Sequence, residues 1–267
     1  MAITSLDLAI AGERPIEMLA KAASGTLVAG RPFSPFYLAG TPGAAAAPTP
    51  GLSGAALTTY AGQIPVPAAS GNTHIAGATF VSSAQAGVLI LADRLWHNSG
   101  FTITSTGSQT VNSATWPARD KNGSTDGEGV FLGVEISSAT GAGTPTITVG
   151  YTNSANASGK TATNIDATVA SSAQGTFYRI GLAAGDTGVR SVQSLTLSAT
   201  WTSGTMHLVA YRPIMMFACS QGGIPAQLNA VTGNLPRIYD NTVLFPIFIP
   251  QTTTSTLLSG GVKFTQG

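Results

Sequence analysis

The stretch TPTITVGYT, residues 144–152, decides the fold class. Ile147, Val149 and Tyr151 fall on one side of an extended chain, and Thr146 and Thr148 on the other. That is the period of two that a strand with one buried face requires. Residues 192–201, VQSLTLSATW, repeat it with Leu195, Leu197, Ala199 and Trp201 on one side. Working outward, GVLILADRLW (87–96) is a mostly apolar run that ends in charge, and residues 109–116 form a Thr- and Val-containing segment that stops at Pro117. VFLGVEIS (130–137), TMHLVAYR (205–212) and VLFPIFI (243–249) have the same β-branched and apolar character. Between the runs stand the turn signals NSG, NGS, TDG, GAG, TSG and TGN. Many strands, Gly-rich turns and no long helical period predict an all-β fold, an antiparallel β-sandwich or jelly roll over residues 72–267. No internal repeat of fixed period is present. Pro246 cannot donate to a ladder, so its strand is expected at an edge or bulged, where another chain could pair.

Residues 1–71 read differently, as an extended N-terminal arm with an Ala/Gly/Pro-rich linker. PIEMLAKAA (15–23) puts Ile16, Leu19 and Ala23 on one helical face behind Pro15, which suits two helical turns held by a tertiary or intersubunit surface. Pro32 and Pro35 force extended backbone through RPFSPFY. The tract 39–71 is so rich in Ala, Gly and Pro that it reads as an interdomain linker or as an arm lying across a neighbouring subunit.

Charged residues are 9% of the 267, against roughly 25% in an average soluble domain. Hydrophobic residues are 43% and the net charge is +1, so the chain does not have the composition of disorder. No field steers it to nucleic acid or to an anionic membrane: the 12 Lys and Arg are scattered. No apolar run reaches the roughly 20 residues of a membrane span, and the N-terminus lacks a basic region followed by an apolar core. Cys219 is the single cysteine, so no intrachain disulfide forms. A neutral surface of small residues is best tolerated when other subunits cover it, and interface cores are depleted of Lys, Glu and Asp. The composition therefore points to assembly with other subunits, and a soluble protein made and used in the cytoplasm, including one packaged into a particle there, fits it.

The densest cluster of acidic oxygen is DKNGSTDGEG (120–129). Asp120, Asn122, Ser124, Asp126 and Glu128 alternate in the way a calcium ion's oxygen ligands often do. Glycine at the fourth loop position and Phe131 at the twelfth depart from the helix-loop-helix calcium site. The alternatives are an Asx-turned hairpin loop and a calcium loop whose ligands are Asp120, Asn122, Asp126 and Glu128. SANASGKT (154–161) ends like a phosphate loop, but Ser154 stands where the first glycine should be and no helix is predicted after it. His74, His97 and His207 lack metal-ligand spacing, and Cys219 has no CxxC partner. No GxSxG elbow is present. Few charges make each of Arg94, Arg190, Arg212 and Arg237 a candidate for pairing, Arg190 with Asp186 or Glu135, or for bridging subunits. No catalytic residue is assigned.

Four tracts carry a resemblance: DRLWHNSGF (93–101), residues 116–137, residues 183–194 with HLVAYRP (207–213), and residues 236–267. Together they resemble a family of tailed-bacteriophage virion structural proteins, over most of residues 50–267. The resemblance implies a non-enzymatic virion protein with no catalytic residues to carry over. The expectation that follows is a homo-oligomer, a trimer by preference, that decorates and cements the phage head by contact with the major capsid protein or other virion proteins. RPFSPFY and the C-terminal VKFTQG are its expected contact strands. The alternatives are a neck, collar or tail subunit, and a carbohydrate-binding sandwich module using Trp96, Trp116 and Trp201.

Overall fold

The computed structural model describes residues 3–23, 27–68 and 70–267, and the chain is built almost wholly of strands. Helix α1 (Leu6–Ala11) precedes β1 (Glu17–Ala23), a 3-10 turn at Pro35–Tyr37, β2 (Gly40–Thr41) and β3 (Ala55–Ala56). Next come β4 (Thr73–Ser82), β5 (Gly87–His97), β6 (Gln109–Thr110), β7 (Phe131–Ser138), β8 (Ile147–Asn153) and β9 (Lys160–Asn164). The remainder is β10 (Phe177–Gly181), β11 (Val189–Leu197), β12 (Thr205–Cys219), β13 (Ala226–Asn229), β14 (Arg237–Ile238), β15 (Leu244–Pro250) and β16 (Thr256–Gln266).

The strands form two antiparallel sheets in a sandwich-like arrangement, as the period-two pattern predicts. The first has the order β13-β4-β16-β1-β2, with β14 also on β4. The second runs β15-β5-β12-β7-β10-β9-β8-β11-β6, with β3 also on β5. The alternating stretch around Ile147, Val149 and Tyr151 is β8, and its buried side chains meet Leu132, Val134, Val192, Leu195 and Trp201. Residues of β5, β12, β7, β10, β9, β8 and β11 of the second sheet share this core. A second core lies between the two sheets, built from Leu19, Phe80, Leu89, Phe217, Leu258 and Phe264 among others.

Strand β5 explains why GVLILA, residues 87–92, is an apolar run instead of an alternating one. Leu89 and Leu91 enter the core between the sheets, while Ile90 and Ala92 enter a third core with Phe36, Phe177, Phe245 and Ile247. Both faces are covered, so both sets of positions are apolar. The run also contains a bulge. Arg94 pairs with Tyr211 and Trp96 with Ala210, which leaves Leu95 as one extra residue on β5. Leu95 and Trp96 consequently both enter the first core, and His97 returns to the side of Arg94.

The third core is closed by the N-terminal segment of the same chain. Phe33 exchanges backbone hydrogen bonds with Phe248 at 2.7 and 2.8 Å, and Ile64 N donates to Leu244 O at 2.8 Å. These bridges flank Pro246, whose missing N–H would have pointed to the same side. The edge position expected of this strand is observed, but its own chain, not another one, covers the edge. Phe36 is fully buried against Tyr60, Phe245 and the Arg94 guanidinium. The Lys21 ammonium of β1 donates to the carbonyls of Phe36, Leu38 and Gly43 at 3.1–3.2 Å, and burial lowers its pKa to about 8.

Three expectations are corrected here. Residues 17–23 are a strand, not two helical turns: Glu17 to Ala23 pair residue by residue with β16, and Leu19, Lys21 and Ala23 alternate into the interior. A short helix gains little by itself, whereas seven residues in a ladder satisfy their backbone and bury one face. RPFSPFY is not a free contact strand, because Phe33, Pro35, Phe36 and Tyr37 are buried within the chain. VKFTQG runs along β4 on one edge, and on the other it meets Glu17 of β1 and residues 12–14, so neither of its edges is open. If the segment is docked in this way, Phe36→Ala should cost about 3–5 kcal/mol in urea unfolding, as for other buried aromatic truncations. A loss of under about 1 kcal/mol, the scale of a surface substitution, would show that it is not.

Candidate functional site

The acidic loop lies between Pro117 and β7. Asp120 is fully buried, and its carboxylate is the hub of the loop. It accepts from Asn122 N, Ser124 N and Ser124 Oγ at 2.8 Å, and from Gly127 N and Glu128 N at 3.1 Å. Burial pushes this carboxyl up, but the hydrogen bonds from Ser124, Asn122 and Glu128 outweigh it and hold the pKa below its ordinary value. Gly127 has φ +83° and packs against the Val189 carbonyl, where a Cβ would collide. Asp126 pairs with Arg190 at 2.9 Å, and Glu128 Oε2 accepts from Thr187 Oγ1 at 2.7 Å and Ser154 Oγ at 2.9 Å. Asn122 is exposed and gives the hub its backbone N–H. Of the oxygens named as calcium ligands, those of Asp120 are engaged by protons from five donors, and those of Asp126 and Glu128 turn to different partners. Among the described residues, no three His, Cys, Asp or Glu side chains converge as metal ligands.

A second polar cluster lies deep in the body, where β5, β7 and β12 adjoin the N-terminal segment. Arg94 and Glu135 are both fully buried and pair at 2.6 Å. Arg94 stacks over the Phe36 and Phe245 rings at 4.8 and 5.5 Å, and its Nε donates to His97 Nδ1 at 3.2 Å. On the other side of β5, Asp93 receives Arg119 in two-point fashion at 2.9 and 3.2 Å, together with the Val243 N–H at 3.0 Å. His207 Nδ1 lies 2.8 Å from the Asn98 carbonyl, so that nitrogen donates and Nε2 offers a lone pair. Among the described residues, Tyr37 Oη, Arg94 Nη2, Glu135 Oε1 and His207 Nε2 have no hydrogen-bond partner. Burial and then the Glu135 charge raise the Tyr37 pKa. Burial, followed by the Arg94 and His207 charges, lowers His97 to about 2. Burial also lowers His207, to about 4, although Glu135 and Asn98 oppose it.

The other sequence candidates fall into structural places. Trp96, Trp116 and Trp201 are 0–1% exposed, with their indole N–H groups on the carbonyls of Ser53, Val189 and Val169. They form no surface platform for a sugar. Thr161 lies within β9, a strand, so the helix that a phosphate loop needs does not follow it. Arg190 pairs with Asp126, not with Asp186 or Glu135, while Asp186 holds Lys160, Tyr151 and Asn153. Arg212 and Arg237 stack on Tyr239, and His74 Nδ1 sits 2.8 Å from the Leu235 carbonyl. Among the described residues, no helix is long and apolar enough to cross a membrane.

The sequence reading missed the outer face of the first sheet. A trough of about 430 Å³ opens there, walled by Ile16 and Met18 on one side and by Gln227 and Asn229 on the other. Gly77 and Gly261 lie in it, so stretches of its floor carry no side chain. Ile16 and Met18 are 57% and 56% exposed, and Leu257 farther along β16 is also exposed. The signal was faint: a Gly-Gly pair at 260–261, and two apolar residues inside a segment read as helix.

No family model matches the chain, and no curated protein is similar to it. Among solved structures it is similar to that of the infectious bursal disease virus Gx strain, with 7% identity and a TM-score of 0.24 over 95% of this chain and 81% of that one. The VP2 subviral particle of the same virus gives 7% identity and a TM-score of 0.24 over 96% and 82%. A likeness of this degree carries no argument about function.

Two outcomes test these clusters. The lowered Asp120 carboxyl contributes stability above its unfolded value near ~3.9, and this is lost as pH falls through the folded value. Asp120→Asn should therefore cost about 1–3 kcal/mol at neutral pH, and the gap to the unaltered chain should close in acid. A melting temperature raised by calcium and lowered by EDTA would instead assign an ion to the loop. The lowered histidines work over a different window. Unfolded imidazoles protonate at ~6.5 and the folded ones only near 4 or below, so stability is complete above the unfolded value and falls as pH drops below it toward 4. His207→Gln should flatten this decline in chemical denaturation, and an unchanged slope would remove His207 from the cause.

Proposed function

We propose that this chain is a non-enzymatic structural protein of a tailed-bacteriophage virion, placed on the head as a decoration or cement subunit. The observation that carries this reading is the division of charge between inside and outside. Lys21, Asp93, Arg94, Arg119, Asp120, Glu135 and Arg212 are all buried, so a chain already poor in charge spends much of it internally. Its outside displays Leu6, Ile10, Ile16, Met18, Met216, Ile224 and Val231 among small and hydroxylated residues. Exposed apolar side chains on a neutral background are the mark of a surface that other proteins cover. The sequence tracts that resemble phage virion proteins name the setting. The partners would be further copies of the chain, as a trimer, and the major capsid protein. Each contact contributes roughly 25 cal/mol per Å² of apolar area, multiplied by symmetry over the shell.

Placement in the neck, collar or tail is the competing reading and differs in copy number. Quantitative mass spectrometry of purified particles should find the chain at hundreds of copies, in fixed ratio to the major capsid protein. A count of a dozen or so would move it to the neck or tail, and absence from the particle would remove the virion role. The carbohydrate-binding reading loses its support, because the tryptophans on which it rested are interior.

A further inference from the structure

Three features singled out in the sequence meet at one cavity. The acidic loop, the 183–191 turn and Arg212 of β12 line a space of about 430 Å³, and Phe131 and Pro213 supply its apolar lining. Arg212 is 8% exposed, yet it forms no ion pair among the described residues. The other buried arginines each hold a carboxylate, Arg94 that of Glu135 and Arg119 that of Asp93. Arg212 stacks on Tyr239 at 5.3 Å, donates Nη2 to the Arg237 carbonyl at 3.4 Å, and leaves its buried Nε without an acceptor. The charges of Asp93 and Asp120 reach it, but Asp93 is taken by Arg119 and Asp120 by the loop's own donors. Burial outweighs them and lowers the Arg212 pKa. Arg237, also without an ion pair among the described residues, stacks on the same ring at 5.5 Å and adds a second positive charge. A guanidinium buried without a counter-ion is costly, and its planar fork of N–H donors fits a carboxylate.

We propose that this cavity binds a small organic monocarboxylate, with its carboxylate between Arg212 and Lys121 and its apolar body on Phe131 and Pro213. Lys121 lines the cavity and forms no ion pair among the described residues. Its stem lies along Gly129, another lining residue, so the ammonium is held near the site. Both cations are therefore free to take a ligand, and a charge-assisted pair with a guanidinium is among the stronger hydrogen-bonded contacts. The volume lies within the roughly 300–1,000 Å³ of small-molecule sites. Two acids, Glu128 and Asp186, also line the cavity. Glu128 accepts from Thr187 and Ser154, and Asp186 from Tyr151, Asn153 and Lys160, so neither serves Arg212 or Lys121. Their negative charge sets a limit on the ligand. One carboxylate is balanced by two cations, whereas a doubly charged phosphate would meet stronger repulsion from both acids. The site belongs to a single chain and does not depend on the virion reading.

The test is titration of the full chain with benzoate at constant ionic strength, read by calorimetry and by the amide NMR shifts of the lining residues. Binding should saturate, with shifts centred on Gly129, Phe131 and Thr187. Benzamide, which has the same shape without the charge, should bind roughly tenfold or more weakly. Phosphate should bind no more tightly than benzoate. Arg212→Met, which keeps an apolar stem beside Tyr239, should abolish binding. Lys121→Gln should weaken it about two- to fivefold, the scale of an exposed ion pair. Lys121 is exposed, so this variant carries the test if Arg212→Met does not fold. No saturable binding, equal binding of benzamide, tighter binding of phosphate, or unchanged affinity in Lys121→Gln or in folded Arg212→Met would each overturn the site. A chain absent from purified particles that still binds benzoate through these residues would sink the virion reading and leave this one standing.

Discussion

The ion pair between Arg94 and Glu135 is the constraint around which the rest is arranged. Two full charges at 2.6 Å with no exposure are sustained only when their surroundings supply partners and exclude water. The bulge at Leu95 brings His97 round to receive the Arg94 Nε, and Phe36 and Phe245 offer ring faces to its guanidinium. Removing one member would leave the other charge stranded in an apolar medium, a loss of about 3–5 kcal/mol in comparable pairs. The pair also ties β5 to β7 across β12, and its cover is the N-terminal segment. Strand register and the docking of residues 33–37 are thereby linked.

That linkage accounts for the treatment of the sheet edge. β15 is apolar and carries Pro246, and left bare it would be open to pairing with any extended chain. The N-terminal segment pairs on either side of the proline, and Lys21 holds that segment through three carbonyls. Residues that look like an outreaching arm are instead part of the fold's closure. The outer face of the first sheet and α1 are left open, with aliphatic side chains exposed to solvent.

The acidic loop shows the same economy of charge. Asp120 turns its carboxylate inward to organise five donors, and Asp126 and Glu128 tie the loop to the 187–190 turn. Three glycines with positive φ let the backbone fold closely around one side chain. One carboxylate of the cluster thus satisfies the backbone donors of a compact loop, and the other two anchor it to neighbouring side chains.

The alternation in residues 144–152 and 192–201, and the turn signals between runs, determined by themselves that the chain is all-β and antiparallel. Side-chain period is a local property, and one buried face is enough to impose it. Pro246 likewise marked an edge, because a missing N–H needs no tertiary knowledge to interpret. Tertiary structure alone decided that residues 17–23 are a strand, since a seven-residue ladder with β16 outweighs a weak helical preference. It alone decided that Arg94 belongs to Glu135, Arg190 to Asp126 and the tryptophans to the interior, because partners 41 and 64 residues apart are invisible in spacing. The trough was beyond the sequence for the same reason: its lining comes from four segments brought together only by strand order.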